Sequence, residues 1–258
     1  MSSAGGTSRF PQTPSSGPLR GQTASPSPYD PIAAIYDPWS RSVTEDVEFY
    51  VEEALASGGP VVELAVGTGR IAVPIAEAGV AVVGVDRSER MLAVARDYAA
   101  ERRVEAFVDL RLGDLREPPV HGQVPLVIIP FRSLLHMQTD EDRLAALRAA
   151  RSLLLPDGRL VFDVFAPSDD DIQATNGLWI EREPGIFERA DWDEDERTLT
   201  LSVRGGESAS TMTLAWLSPP EWQQLIERAG LAVEALYGWF DRRPYEGGED
   251  TVWVARRS

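Results

Sequence analysis

Apolar and polar positions follow two different rhythms along this chain, with the change near Pro167. Residues 43–55 have helical spacing, with Thr44 placed to cap them. The run Pro60-Val61-Val62-Glu63-Leu64-Ala65-Val66 then meets Gly67-Thr68-Gly69, which predicts a buried strand entering a tight turn. Helical spacing resumes over 70–78, with Pro74 near its start and Gly79 closing it. Residues 80–85 predict a second buried strand ending at Asp86, and Ser88 opens a helix that runs to about residue 100. Strands are predicted over 104–112, 126–130 and 159–165, the last following the turn Pro156-Asp157-Gly158. A helix over 139–154 separates the last two, its start fixed by Thr139 and Asp142 as a capping box. Strands alternating with helices imply parallel pairing and right-handed crossovers, hence a doubly wound α/β sheet.

Beyond Pro167 the period shortens. Residues 178–183, 186–192, 197–204 and 210–217 are strand-like, and Arg197-Thr-Leu-Thr-Leu-Ser-Val-Arg204 alternates strictly, as an antiparallel sheet with one wet face requires. Ser218-Pro219-Pro220-Glu221 then opens a helix ending at Gly230, and residues 231–237 and 251–256 pair as a hairpin at the sheet edge. The predicted organisation is a main α/β domain over 29–167 and 218–258, interrupted by an antiparallel β layer over 168–217. Residues 1–28, dominated by Ser, Pro, Gly and Thr, predict a disordered tail.

Composition narrows the chemistry. The 258 residues carry no Cys and only two His, and all 25 basic residues are Arg. Without Lys or Cys there is no Schiff base, P-loop lysine, thiol nucleophile or thiolate metal site. His121 and His136 are too few for a three-histidine centre, and no metal site is read. A net charge of −16 opposes a polyphosphate backbone. No apolar run reaches the roughly 20 residues of a membrane span, nor does the N-terminus resemble a signal peptide, so a cytoplasmic protein is expected.

In a doubly wound sheet, ligands bind beyond the carboxyl ends of the strands, where Gly67-Thr68-Gly69 is placed. Gly67-Thr68-Gly69-Arg70-Ile71-Ala72 fits G-x-G-x-x-A, with Asp86 nineteen residues after Gly67, so an NAD-dependent oxidoreductase is one reading. Glu63, at the end of the first strand, opposes a pyrophosphate but favours an ammonium or sulfonium group. Asp86 suits a ribose diol in either case, and Asp114 in Gly113-Asp114-Leu115 suits an adenine amino group. Three carboxylates around one loop fit a cationic nucleoside better than a dianionic dinucleotide.

Four segments resemble class I S-adenosylmethionine-dependent methyltransferases. These are Val62-Glu63-Leu64-Ala65-Val66-Gly67-Thr68-Gly69-Arg70, Val85-Asp86-Arg87-Ser88-Glu89-Arg90-Met91-Leu92, Leu112-Gly113-Asp114-Leu115, and Leu153 through Phe162 around Pro156-Asp157-Gly158. They cover roughly residues 60–165 in the family's order. The resemblance implies a Rossmann-like sheet of seven mostly parallel strands and S-adenosyl-L-methionine as cofactor. It places Glu63 and Gly67 around the methionine part, Asp86 on the ribose, Asp114 with Leu115 on the adenine, and Met91 on the wall of the adenine slot. Gly69, Arg87, Pro130 and Phe131 belong to the same cofactor side, and Tyr36 and Arg70 compete for the methionine carboxylate. Ala65 departs from the family's glycine. In a strand-like backbone an alanine there narrows the site slightly.

Methyl transfer is an in-line displacement that needs alignment rather than a protein nucleophile, in keeping with the missing Cys and Lys. Pro130-Phe131-Arg132-Ser133-Leu134-Leu135-His136 follows the fourth strand, so His136 is the candidate base, with Arg132 and Ser133 orienting the substrate. Each has a plain structural alternative: Met91 in the core, His136 starting the next helix, Arg132 in an ion pair, His121 simply exposed. Trp179, Phe187, Trp192 and Trp216 mark the β layer, which in sugar-amine N-methyltransferases and related enzymes roofs the acceptor or joins subunits. The expected function is methyl transfer to nitrogen, ahead of oxygen, of a small molecule such as an amine, on a chain able to form a homodimer. A scaffold that binds the cofactor without transfer is the remaining alternative.

Overall fold

The structure is a computed structural model that describes residues 27–40 and 44–257. The expected tail lies outside these residues except for its last two. Ser27 is buried and the Pro28 carbonyl accepts a hydrogen bond from Ser210 Oγ, so packed structure begins before Tyr29.

In chain order the elements are α1 (Ala33–Ser40), α2 (Glu45–Ser57), β1 (Val61–Leu64), α3 (Ala72–Glu77), β2 (Val82–Asp86), α4 (Glu89–Glu101), β3 (Val108–Leu112), β4 (Val124–Ile129), α5 (Asp140–Ser152) and β5 (Leu154–Phe165). There follow α6 (Asp169–Thr175), β6 (Trp179–Glu183), β7 (Ile186–Asp193), β8 (Thr198–Gly205), β9 (Ser208–Ala215), α7 (Pro219–Arg228), β10 (Leu231–Tyr237) and β11 (Asp250–Arg257). Seven strands form the main sheet in the order β10-β11-β5-β4-β1-β2-β3. Strands β1 to β5 pair in parallel, and β11 is antiparallel to both β5 and β10. Chain order reverses between β1 and β4, so the crevice beyond their carboxyl ends is the natural ligand position. Helices cover both faces, which is why all four residues of β1 are buried. Strands β6 to β9 form the expected antiparallel sheet. Its Leu199, Leu201 and Leu214 share one buried cluster with Val62 and Leu64 of β1, so the second sheet packs on the main domain.

Local signals place most boundaries. Ser88 Oγ accepts Met91 N–H at 3.0 Å and caps α4, and Ser218 with Glu221 completes a reciprocal capping box on α7. Thr139 Oγ1 accepts Asp142 N–H at 3.2 Å and starts α5. Three expectations are corrected. Thr44 sits at the N-cap of α2 but makes no side-chain cap bond; its own N–H donates to Glu45 Oε2 at 3.0 Å. Pro156-Asp157-Gly158 lies within β5, where the register against β4 shifts between Val124 and Leu126. Helices α1 and α6 were not foreseen. α1 contains Pro38, a sequence signal against helix, and tertiary bonds hold it: Asp37 Oδ1 accepts from Thr68 Oγ1 at 2.6 Å, and Trp39 Nε1 donates to Glu188 Oε2 at 2.8 Å.

Candidate functional site

The loop leaving β1 turns three times into the left-handed region, with φ of 63° at Ala65, 57° at Gly67 and 81° at Gly69. Ala65 therefore does not continue the strand, as its sequence context suggested. It takes the conformation a glycine adopts freely, at a cost of about 1 kcal/mol for an alanine. Asp86, at the end of β2, fixes this loop: Oδ2 accepts Gly67 N–H at 2.9 Å and Oδ1 accepts Ser88 N–H at 2.8 Å. Burial raises the Asp86 carboxyl above the usual aspartate range, while these N–H groups pull it back.

The loop opens on a cavity of about 290 Å³. Of the expected cofactor positions, Tyr36, Ala65, Gly67, Asp86, Arg87 and Met91 line it, as do Asp114, Leu115 and Phe131. Glu63, Gly69, Arg70 and Pro130 do not. Gly69 is a packing position: a Cβ there would meet Val73 at 3.3 Å and Ala95 at 3.4 Å, between α3 and α4. Arg70 is held by Asp46, with Nη1–Oδ1 2.8 Å and Nη2–Oδ2 2.5 Å, and lies 4.4 Å over the Phe131 ring. Glu63 is 1% exposed, and its Oε2 has no hydrogen-bond partner among the described residues. Burial holds its carboxyl well above the usual glutamate range, although the Arg70 charge opposes this. The Glu63 Oε2 oxygen lines neither cavity and is sealed from direct ligand contact in the structure. Asp114 is engaged by Arg116 through both oxygens, at 2.9 and 2.7 Å; burial would raise its carboxyl, but Arg116 outweighs it and leaves the carboxyl low.

A second cavity of about 380 Å³ lies between the loop after β4 and the inserted sheet. Tyr29, Phe131 and His136 line both cavities. Tyr29 Oη lies 2.8 Å from His136 Nε2, so the two rings join the N-terminal segment to the turn after β4. Burial, reinforced by the Arg87 charge, pushes His136 down to about 4, and it is neutral at pH 7. The expected substrate pair is divided: Ser133 lines the first cavity and Arg132 the second. Ser133 Oγ donates to the Pro130 carbonyl at 2.7 Å, and Arg132 pairs with Asp250 at 2.8 Å. Trp192 lines the second cavity, Trp216 is buried in the shared core, and Trp179 is exposed beneath Arg204.

Sequence reasoning missed Asp163. Phe131 and Arg132 are consecutive non-glycine residues at φ 57° and 60°. Asp163, at the end of β5, holds both: Oδ1 accepts Phe131 N–H at 2.8 Å and Oδ2 accepts Arg132 N–H at 2.9 Å. Tyr50 Oη donates to Oδ1 at 2.6 Å. Burial pushes the Asp163 carboxyl up to about 6, against the Tyr50 hydrogen bond. Also missed were Thr211, Met212 and Thr213 of β9, which roof the first cavity. Their alternating pattern announced a strand but not the surface it would face.

Among the described residues, no helix is long and apolar enough to cross a membrane, and no cluster of three or more His, Asp or Glu could hold a metal ion. Comparison with known proteins bears on the family resemblance of this fold. Residues 61–158, spanning β1 to the bulge in β5, match the family described as "Methyltransferase domain". The chain is 31% identical over 163 residues to the Bacillus subtilis (strain 168) protein named "Putative methyltransferase YqeM"; the match covers 57% of this chain and 62% of that protein, less than two thirds of its length. It is 27% identical over 199 residues to a cypemycin N-terminal methyltransferase from Streptomyces sp, covering 73% of this chain and 78% of the relative. The solved structure of the CcbJ methyltransferase from Streptomyces caelestis superposes with a TM-score of 0.80 at 27% identity, covering 90% of this chain and 98% of that one. Glycine loop, acidic second strand and seven-stranded order agree with these matches: residues 61–158 match the methyltransferase domain, and the chain shares the fold of the methyltransferases it resembles.

Proposed function

We propose that the chain transfers a methyl group from S-adenosylmethionine to a nitrogen atom of a small molecule. The observation that carries this reading is the pair of cavities sharing one wall at Tyr29, Phe131 and His136. The cavity on the glycine-loop side takes the cofactor and the one under the inserted sheet takes the acceptor, with the reacting atoms meeting at that wall. S-adenosylmethionine, when bound, supplies a methyl group on a cationic sulfur. Asp86 accepts the backbone N–H groups of Gly67, Ser88 and Arg87 and keeps acceptor capacity for a ribose hydroxyl. Leu115 and Met91 form apolar walls suited to a base.

His136 sets a condition on the acceptor. Taking a proton from an alkylammonium with a pKa near 10 onto a group near 4 is uphill by roughly 8 kcal/mol. His136 therefore positions rather than deprotonates: the amine arrives with its lone pair free, and the ring and the Tyr29 hydroxyl orient it by hydrogen bonding. The acceptor's proton leaves to water after transfer. An N-acceptor is further supported by the acidic side chains of the second cavity and by the cypemycin relative, whose name records methylation at an N-terminus.

Calorimetry tests the reading. The chain is expected to bind S-adenosylhomocysteine and not NAD⁺; the reverse result refutes it, and binding without methyl transfer to any amine removes the nitrogen acceptor and leaves oxygen transfer or the scaffold. His136→Ala should lower turnover at least tenfold with S-adenosylhomocysteine affinity unchanged, and wild-type turnover would remove His136 from the reaction.

A further inference from the structure

The charges of the second cavity do not cancel. Four carboxylates face it, from Asp171, Glu188, Glu249 and Asp250, against two guanidiniums, Arg132 and Arg182. Both guanidiniums are committed: Arg132 pairs with Asp250 at 2.8 Å and Arg182 with Glu188 at 2.7 Å. Asp171, in the first turn of α6, and Glu249, just before β11, have no ion-pair partner among the described residues. They crowd one another. Although a hydrogen bond with Ser168 favours the Glu249 carboxylate, the neighbouring Asp171 holds that carboxyl above the usual range. Two carboxyl groups in this state accept a cation readily, because it removes their mutual repulsion.

A second observation points to a ligand in the same cavity. Ser40, at the end of α1, lines the cavity and is 5% exposed, and its buried Oγ has no hydrogen-bond partner among the described residues. Leu199, Leu201 and Leu214 supply an apolar wall to the same cavity. At about 380 Å³ the space is at the lower end of the range for small-molecule sites.

We propose that the acceptor is a dibasic, amphipathic small molecule. One amine meets the Tyr29–His136 wall, the apolar body lies against the leucines of β8 and β9, and a second cationic group is held between Asp171 and Glu249. This rests on the assignment of the second cavity as the acceptor site. The chemistry excludes an acceptor whose far end is a carboxylate, which would face two acids already short of cations.

The test uses three probes of one body size, p-xylylenediamine, benzylamine and 4-(aminomethyl)benzoate, titrated into the full chain saturated with S-adenosylhomocysteine. The diamine should bind at least tenfold tighter than benzylamine, and the aminobenzoate no tighter than benzylamine. In the double variant Asp171→Asn/Glu249→Gln the diamine should lose its advantage while S-adenosylhomocysteine affinity stays unchanged. The proposal is overturned if the aminobenzoate binds tightest, if none of the three binds, or if the diamine keeps its advantage in the double variant. The wild-type ranking decides the matter even if that variant fails to fold. Loss of S-adenosylhomocysteine binding by the wild-type chain would instead sink the methyltransferase reading, so the two failures are distinguishable.

Discussion

Asparagine at position 163 separates what this carboxylate does for the wall between the cavities from what it costs the fold. Burial moves Asp163 from the ordinary 3.8 to about 6. A carboxyl raised in this way binds its proton more tightly in the folded chain, so its charge is a penalty that is fully present above pH 6 and fades as pH falls towards 3.8. The full penalty is about 3 kcal/mol, of which about 1.4 kcal/mol is relieved between pH 8 and pH 5. Asparagine carries no such term. Its carbonyl can still serve Tyr50 and the Phe131 N–H, but its amide nitrogen then faces the Arg132 N–H, which costs about 1.5–3 kcal/mol for the lost charge-assisted bond. At pH 8 the two effects nearly cancel, and Asp163→Asn should match the wild type within about 1.5 kcal/mol. At pH 5 the variant should have fallen behind by about a further 1.4 kcal/mol. Urea denaturation at both pH values, analysed with a common slope, measures the difference. An equal gap at pH 5 and pH 8, or a gap that narrows at pH 5, refutes the buried-charge account. Turnover should drop at both pH values, because the left-handed backbone of Phe131 and Arg132 loses one of its two anchors while the fold survives.

Asp163 also shows where the sequence stops being legible. Its neighbours Val161, Phe162, Val164 and Phe165 announce a strand, and one acid within it resembles any other. Its meaning comes from the parallel register of β4 beside β5, which brings residue 163 to the turn 32 positions earlier in the chain. By contrast, Gly67, Asp86 and Asp114 are readable because each ends a predicted strand, and the doubly wound order alone brings strand ends together. Arg70 was misjudged for a related reason. Its position at the start of a helix near the glycine loop was right, but nothing local shows that Asp46 of α2 comes within 2.5 Å and takes the guanidinium first. The second cavity was invisible because its walls come from α1, the loop after β4, α6, the inserted sheet and the turn into β11, segments linked only by tertiary contact. Ala65 failed in the other direction. Propensity reads an alanine after Leu64 as strand, whereas the turn imposes φ 63° whatever residue occupies it.

That last point predicts an asymmetry. Ala65→Gly should leave stability within about 0.5 kcal/mol of the wild type, since relief of the left-handed strain offsets the greater freedom of glycine in the unfolded chain. Ala65→Val should cost at least about 2 kcal/mol because a branched side chain adds to that strain; equal urea midpoints for the two variants would contradict the assigned backbone. Arg70→Ala leaves the fully buried Asp46 without its bidentate partner and should lower stability by about 3–5 kcal/mol, and a loss under about 1 kcal/mol in urea denaturation would show that the pair is solvated. Asp86 tests the cofactor side. Its oxygens accept the backbone N–H groups of Gly67, Ser88 and Arg87, and the acceptor capacity that remains faces the cavity. Asparagine preserves one acceptor oxygen and alanine none. S-adenosylhomocysteine affinity should therefore fall in two steps, by about tenfold for Asp86→Asn and about a hundredfold for Asp86→Ala, the latter close to 2.7 kcal/mol. Calorimetry reads both. If the two variants lose affinity equally, Asp86 acts through the loop it anchors rather than through the ligand; if neither loses any, the first cavity is not where the nucleoside binds.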